Sequence, residues 1–256
     1  MSYRMMLLKL GLKKGFSSKY ILLFYLFSSL ISIVVQYFLW QAVLVNRPLI
    51  EFKQILSYLI LMQLLSILFP KSSYDLNDQI RSGDIALDLL KPVSIATQLF
   101  WESLGYSITK LVIVGGVDLA LYFWVLDFQF NLLAVLLVLV TGVLAYILYF
   151  ELELILGTFT FYTYSIWGIA TFKEALLLIL AGNVFSAYFY PQVLKQVASY
   201  LPFQYSFSAV GMLAQTPSWQ LFLQIVVIQI GYIIFLILLF KVLFKWSSTK
   251  TVIQGG

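Results

Sequence analysis

Residues 82–94 read "SGDIALDLLKPVS" and carry Asp84, Asp88 and Lys91 in a chain that is 62% hydrophobic and only 11% charged. Apolar runs flank the stretch, about Phe52–Phe69 before it and about Tyr106–Leu126 after it. A hydrocarbon core is crossed by roughly 20 helical residues, so these runs read as membrane spans and the polar stretch as the loop between them. Soluble domains carry about 25% charged residues, more than twice the fraction found here. The alternation of apolar and polar residues that marks membrane β-strands is absent. The sequence is that of an all-α polytopic membrane protein.

Extending the same reading gives six transmembrane helices. They are Tyr20–Val45, Phe52–Phe69 closed by Pro70, Tyr106–Leu126 with Lys110 and Asp118 inside it, a fourth from Leu132, a fifth ending near Phe189, and Leu221–Phe244. Basic residues set the orientation. Arg4, Lys9, Lys13, Lys14, Lys19, Lys71, Arg81, Lys91, Lys241, Lys245 and Lys250 fall on one side, and Arg47, Lys53 and Lys195 on the other. Both termini and residues 71–98 are thereby expected in the cytoplasm. The net charge of +5 reflects these loops rather than nucleic-acid binding. The basic start lacks a short apolar core followed by a small-residue cleavage site, which predicts no signal cleavage. Neither an internal repeat nor a loop long enough for a separate fold occurs, so one domain is expected over residues 1–256.

Several chemistries are disfavoured. Without Cys or His there are no thiol nucleophiles, no imidazole acid–base groups and no thiolate or imidazole metal ligands. The dipeptide Gly-Lys is missing, so there is no phosphate loop of the GxxxxGK[ST] type. Glu151 and Glu153 are paired carboxylates with no nucleophile or metal ligand beside them, a poor basis for an enzyme.

On a helix over Leu76–Leu90, Leu76, Ile80, Gly83, Leu87 and Leu90 form one stripe. Arg81, Asp84, Asp88 and Lys91 lie largely on another side, and Ile85 and Leu89 project away from the main stripe. Pro92 stops the helix. Periodicity alone leaves two outcomes open: a helix resting at the lipid interface, or one that packs on the bundle and offers its second face to a partner.

"IRSGDIALDLLKPVS" (80–94) resembles the signature of type-2 ABC exporter permeases, in the viologen-exporter-like branch. Gly83, Asp84, Leu89, Leu90, Lys91 and Pro92 carry the match. A second resemblance lies in Gly182, Tyr190, Pro191 and "LPF" at 201–203, with a departure at Ser186, where the family often has Pro. The resemblance implies an amphipathic elbow helix at 2–18, a coupling helix within 75–94 that docks on a cytosolic ABC ATPase subunit, and an outer re-entrant segment at 188–204. The coupling residues would be Gly83, Asp84, Ile85, Asp88, Leu89, Leu90, Lys91 and Pro92, with Ile85 and Leu89 inserting into the ATPase groove. Gly182, Pro191, Pro202 and Phe203 would form the outer gate. No cofactor is implied for this chain, because ATP and Mg would be held by the partner ATPase. A second permease chain, identical or related, would complete the path through the lipid bilayer of a bacterial cytoplasmic membrane. The implied function is ATP-driven export of an amphiphile such as a drug, antimicrobial peptide or lipid. The alternatives are an ion-coupled secondary transporter and a non-transporting immunity or scaffold protein.

Four charges fall within spans four and five: Glu151, Glu153, Lys173 and Glu174. Unpaired, each costs about 2.5–3.5 kcal/mol or more in hydrocarbon. A reversal near Thr163 would bring Glu153 level with Lys173, predicting an ion pair across the hairpin. Glu151 or Glu174 would then be left for the transport path. Tyr37, Trp40, Trp124, Trp167, Trp219 and Trp246 read as an interfacial aromatic belt, and "TFTFYTYSIW" (158–167) as packing near the turn.

Overall fold

The computed structural model describes residues 3–45, 48–126, 131–163, 165–184 and 189–250. Helices account for nearly all of them, and no strand occurs among the described residues. The chain opens with α1 (Tyr3–Ser17), α2 (Lys19–Val43) and α3 (Leu49–Leu68). Proline disfavours helical geometry in the residue before it, and Phe69, which precedes Pro70, is extended at the end of α3. The two short helices α4 (Ser72–Ser82) and α5 (Ile85–Leu89) follow. Next, α6 (Ile95–Lys110) runs through a π-helical turn at Leu111–Gly115 into α7 (Gly116–Leu126). The remainder is α8 (Leu132–Thr158), α9 (Trp167–Leu180), α10 (Gln192–Ser199), α11 (Pro202–Ser206), α12 (Ser208–Gln215) and α13 (Trp219–Lys250).

Among the described residues, five helical stretches are long and apolar enough to cross a membrane: Lys19–Val43, Glu51–Ser82, Ile95–Leu121, Leu132–Phe161 and Trp219–Ser248. The expected fifth span corresponds to α9, which has 14 residues. At 1.5 Å per residue it rises about 21 Å, short of a hydrocarbon core of about 30 Å. Gly182, at φ +74, follows the end of this helix in a left-handed conformation that suits glycine. The expected third span likewise begins earlier, because helix is continuous from Ile95.

One end of the bundle gathers α1, α4, α5, the turn after α8 and the close of α13. Leu76, Ile85, Ile95, Leu99, Phe150, Leu154 and Phe240 form a shared apolar cluster there, with Phe161 and Phe244 packed on it. Ser247 donates to the Tyr162 hydroxyl at 3.1 Å. The "TFTFYTYSIW" aromatics therefore do pack, with Phe161 on Phe244 and Tyr162 on Trp246. At the opposite end Gln215 donates to the Gln54 carbonyl at 3.0 Å, and Tyr232 to that of Tyr200 at 2.9 Å.

The re-entrant expectation shifts along the chain. Most of α10 is exposed, whereas Ser206, Phe207, Ser208, Ala209, Val210 and Leu213 are buried inside the bundle. The deeply packed segment thus runs through α11 and α12 to Gln215, beyond the 188–204 limits. Residues 185–188, including Ser186, lie outside the described residues, as do Arg47 and the Trp124 side chain. Trp40 is a correction: it is 4% exposed and packs on Phe189, so it belongs to the core rather than to a belt. Trp167, Trp219 and Trp246 are exposed.

The N-terminal helix is clamped rather than floating. Gly11 and Gly15, spaced four apart on α1, face α6, where a side chain on Gly11 would collide with the Glu102 carbonyl. Gly105 reciprocates, since a side chain there would meet the Leu8 carbonyl. Small residues at this spacing let two helix backbones touch, the packing that membrane helices use where hydrophobic burial gives no drive. Gly11→Val should lower stability by about 2 kcal/mol or more, the range of overpacked cores. Gly142→Ala, where an added Cβ meets nothing within 4 Å, should leave it nearly unchanged. Thermal unfolding of the two variants in detergent checks this, and equal midpoints would contradict it.

Candidate functional site

The segment 72–94 is two helices, not one, and this corrects the expected stripe. Gly83 takes φ +82 at the end of α4, with its N–H bonded to the Ile80 carbonyl at 3.3 Å. That left-handed residue resets the helical phase. Leu76 and Ile80 keep their predicted place against the bundle, but Ile85 joins the same cluster at 7% exposure. Leu87, Leu89 and Leu90 are left outside at 64%, 52% and 83% exposure. Ile85 therefore anchors the segment and is not an outward apolar contact. Gly83 directly before Asp84 is the signal for this break: a glycine helix stop, then a residue that favours helix starts.

Polar contacts hold the tip's shape. Ser82 Oγ donates to Asp84 Oδ2 at 2.7 Å, and Lys91 pairs with Asp88. The Asp88 hydrogen bond raises the Lys91 pKa above its ordinary value. Gln98 Nε2 donates to the carbonyls of Asp88 (3.2 Å) and Val93 (2.9 Å), tying the returning end of the loop to α6. Pro92 is exposed just after the ion pair. On the other flank Lys14 Nζ lies 3.3 Å from both Asp75 and Glu102, joining α1 to α4 and α6. Burial opposes the Lys14 charge, but the two carboxylates outweigh it and raise its pKa.

The start of α4 is held by the charges of the α8–α9 hairpin. Lys173 pairs with Glu153, as the level placement of the two residues predicts. They are 4% and 0% exposed on their side chains. Two further contacts were not foreseen. Ser73 donates to Glu153 Oε2 from its backbone N–H at 3.2 Å and from its hydroxyl at 2.5 Å. The carboxylate therefore caps the first turn of α4, where the helix dipole favours negative charge. Lys173 also donates to the Tyr149 hydroxyl at 3.1 Å and lies 3.0 Å from Glu174, which is 57% exposed. Glu151 is buried and stands outside the pair, with Lys241 of α13 attracting it from beyond ion-pair distance.

The remaining expected residues are scattered towards the opposite end. The Gly182 carbonyl accepts from Tyr58 at 2.6 Å, and a Cβ on Gly182 would come within 2.8 Å of Ser208. Pro191 precedes α10, Pro202 opens α11, and Phe203 packs beside the main core. The structure brings Gly182 and the α11–α12 segment together at Ser208, whereas Pro191 stands at the exposed start of α10. A further polar group went unrecognised in the sequence: fully buried Asp118 accepts from Ser29 Oγ at 3.0 Å and from Gln63 Nε2 at 3.1 Å. Asp118 itself was visible as a charge within a span, but partners on α2 and α3 were not. No cluster of His, Cys, Asp or Glu among the described residues could hold a metal ion.

Residues 30–250 match the family of the ABC-2 family transporter protein, and the chain belongs to it. It is thus a multi-pass membrane protein and the membrane component of an ABC transporter, the class that lacks an ATPase site of its own. No curated protein and no solved structure gives a significant match.

Charge exchange tests the anchor. Glu153→Lys and Lys173→Glu should each impair assembly, because either leaves like charges buried together, and breaking a buried pair costs about 3–5 kcal/mol. The double exchange should recover only part of the loss, since a lysine at 153 cannot accept from Ser73. Size-exclusion profiles in detergent read the outcome, and a double exchange no better than the single changes would contradict the pairing.

Proposed function

We propose that this chain is the permease subunit of an ATP-driven exporter of the viologen-exporter-like branch, working in a bacterial cytoplasmic membrane. One observation carries the reading: Leu87, Leu89 and Leu90 stand exposed on and just after a short helix whose base is fixed to the bundle through Ile85, Leu76 and Glu153. Exposed leucines flanked by Asp84, Asp88 and Lys91 suit an apolar groove with a polar rim, the anatomy of a protein interface. The occupant is a cytosolic ABC ATPase, needed by a chain without a nucleotide site. Two such ATPases would close on ATP and push α4–α5, and so α8 and α9, against the rest of the bundle. A second permease chain would supply the other wall of the path. The cargo is an amphiphile.

In this reading the basic end faces the cytosol, both termini lie there, and the chain crosses six times. The fifth of these crossings is α9. An ion-coupled carrier would draw on Asp118, but that carboxylate already receives two neutral donors, and membership of an ABC family favours the ATP-driven mechanism.

Leu87→Asp with Leu89→Asp should strip the ATPase from the purified complex. Permease stability should stay within about 0.5 kcal/mol, because both side chains are exposed. Copurification reads the first effect and thermal unfolding the second; a complex that survives the double change contradicts the docking surface. For orientation, a cysteine in place of exposed Gln196 should react with an impermeant thiol reagent in whole cells, with no native cysteine to compete. Reaction only after lysis would reverse the topology.

A further inference from the structure

A cavity of about 410 Å³ opens at the basic end between the start of α2, the α3–α4 corner and α6. It lies apart from the α5 leucines, and its chemistry is not that of an ATPase contact. Lys14, Lys71 and Lys110 line it with Asp75 and Glu102, so three ammonium groups face two carboxylates and one positive charge is left over. Lys14 answers both carboxylates. Lys71 and Lys110 have no carboxylate partner among the described residues. Both instead lie over the ring of Tyr25, at 6.0 and 5.8 Å from its centre. Lys110 is only 4% exposed, and its Nζ donates to the Phe69 carbonyl at 3.2 Å. A buried ammonium held by one carbonyl and two aromatic faces still has donor capacity to spare.

A second observation points the same way. Ser107 Oγ, fully buried and lining this cavity, has only a weak contact with the Tyr146 hydroxyl and no full hydrogen bond. A hydroxyl whose hydrogen-bonding capacity is not fully used can give its proton to an oxygen that enters the cavity. The mouth of the cavity includes Ile21, which is 51% exposed. From there Phe24, Ile31 and Val35 continue one exposed apolar stripe up α2 at helical spacing. A charged pocket at the foot of a bare apolar stripe fits one class of molecule, with a headgroup below and acyl chains above.

We propose that this cavity binds an anionic phospholipid, its phosphodiester held between Lys71 and Lys110 and its acyl chains laid along α2. The single unmatched charge favours phosphatidylglycerol. Phosphatidylcholine and phosphatidylethanolamine would bring their own cation to a cavity that is already positive. Basic pockets between membrane helices are a recurrent way to hold such headgroups.

The test uses the full chain in neutral detergent, with native mass spectrometry and thermal unfolding read on addition of phosphatidylglycerol, phosphatidylcholine or inorganic phosphate. Phosphatidylglycerol should be retained and stabilising in preference to phosphatidylcholine. Lys71→Gln and Lys110→Gln should each weaken that retention about fivefold, whereas Lys91→Gln should not. Lys71 is exposed, so its variant reports even where loss of Lys110 unfolds the protein. Three results would overturn the proposal: no preference between the two lipids, full retention in Lys71→Gln, or inorganic phosphate protecting as well as the lipid. Copurification of the ATPase with Lys71→Gln keeps this outcome separate from the permease reading.

Discussion

The Glu153 carboxylate is the constraint on which the rest of the molecule depends. It lies fully buried near the end of α8 and answers three groups from two other elements: Lys173 of α9, and the hydroxyl and backbone N–H of Ser73 on α4. A buried charge is tolerated only when its partners are complete, and here they complete one another. The ammonium neutralises the carboxylate, and the carboxylate fills the open first turn of α4. Loss of any member would leave a charge or a donor stranded in an apolar surrounding. The polar loop is thereby fixed to the membrane bundle by a contact that is strong because little water reaches it.

From that point packing continues in two directions. Towards the basic end, α4 carries Leu76 into a contact with Gly157 so close that a Cβ there would meet the leucine at 2.8 Å. Past Gly83, Ile85 returns to the same cluster, so α5 is held at its base and bare at its tip. Towards the other end, Lys173 lies against Tyr149, which stacks on Phe69 at 4.5 Å, and Phe69 meets Phe207 edge-on at 4.8 Å. Phe207 is the joint between α11 and α12. The contacts run without a gap from the loop's anchor to the buried segment near the far end, which gives a motion of α4 a physical route into the bundle.

Much of this was legible in the sequence, and the reason differs by element. The expected first span coincides with a helix to within two residues, and the expected second and last runs fall inside longer helical stretches, because apolar runs of that length have one stable use in lipid. The Glu153–Lys173 pair was legible because a single turn fixed the depth of both residues. The phase of α5 was not: a helical stripe drawn through Gly83 assumes a continuity that one left-handed residue abolishes. Nor was Ser73 visible as a partner, since the donor that matters most is a backbone N–H exposed only because a helix begins there. Gly11 and Gly15 show the spacing of a close helix contact, but nothing local to α1 names Gly105 as its counterpart. The fifth helix is short because Gly182 ends it, and Leu177 and Ala181 near its close share a core cluster with Phe207 and Val210.

Under the proposed ATP-driven mechanism, α4–α5 and the end of α8 should move as one body. The chain has no native cysteine, so spin labels can be placed singly at Asp78 on α4 and at Phe159 beyond α8, both exposed. Pulsed dipolar spectroscopy on the complex with its ATPase, in ATP and in ADP, measures the distance between them. One unchanged distance is predicted in both nucleotide states, because Glu153 and Leu76 lock the two elements together. A distance distribution that shifts or splits on ATP binding would show the loop moving independently of the bundle, and would contradict the account.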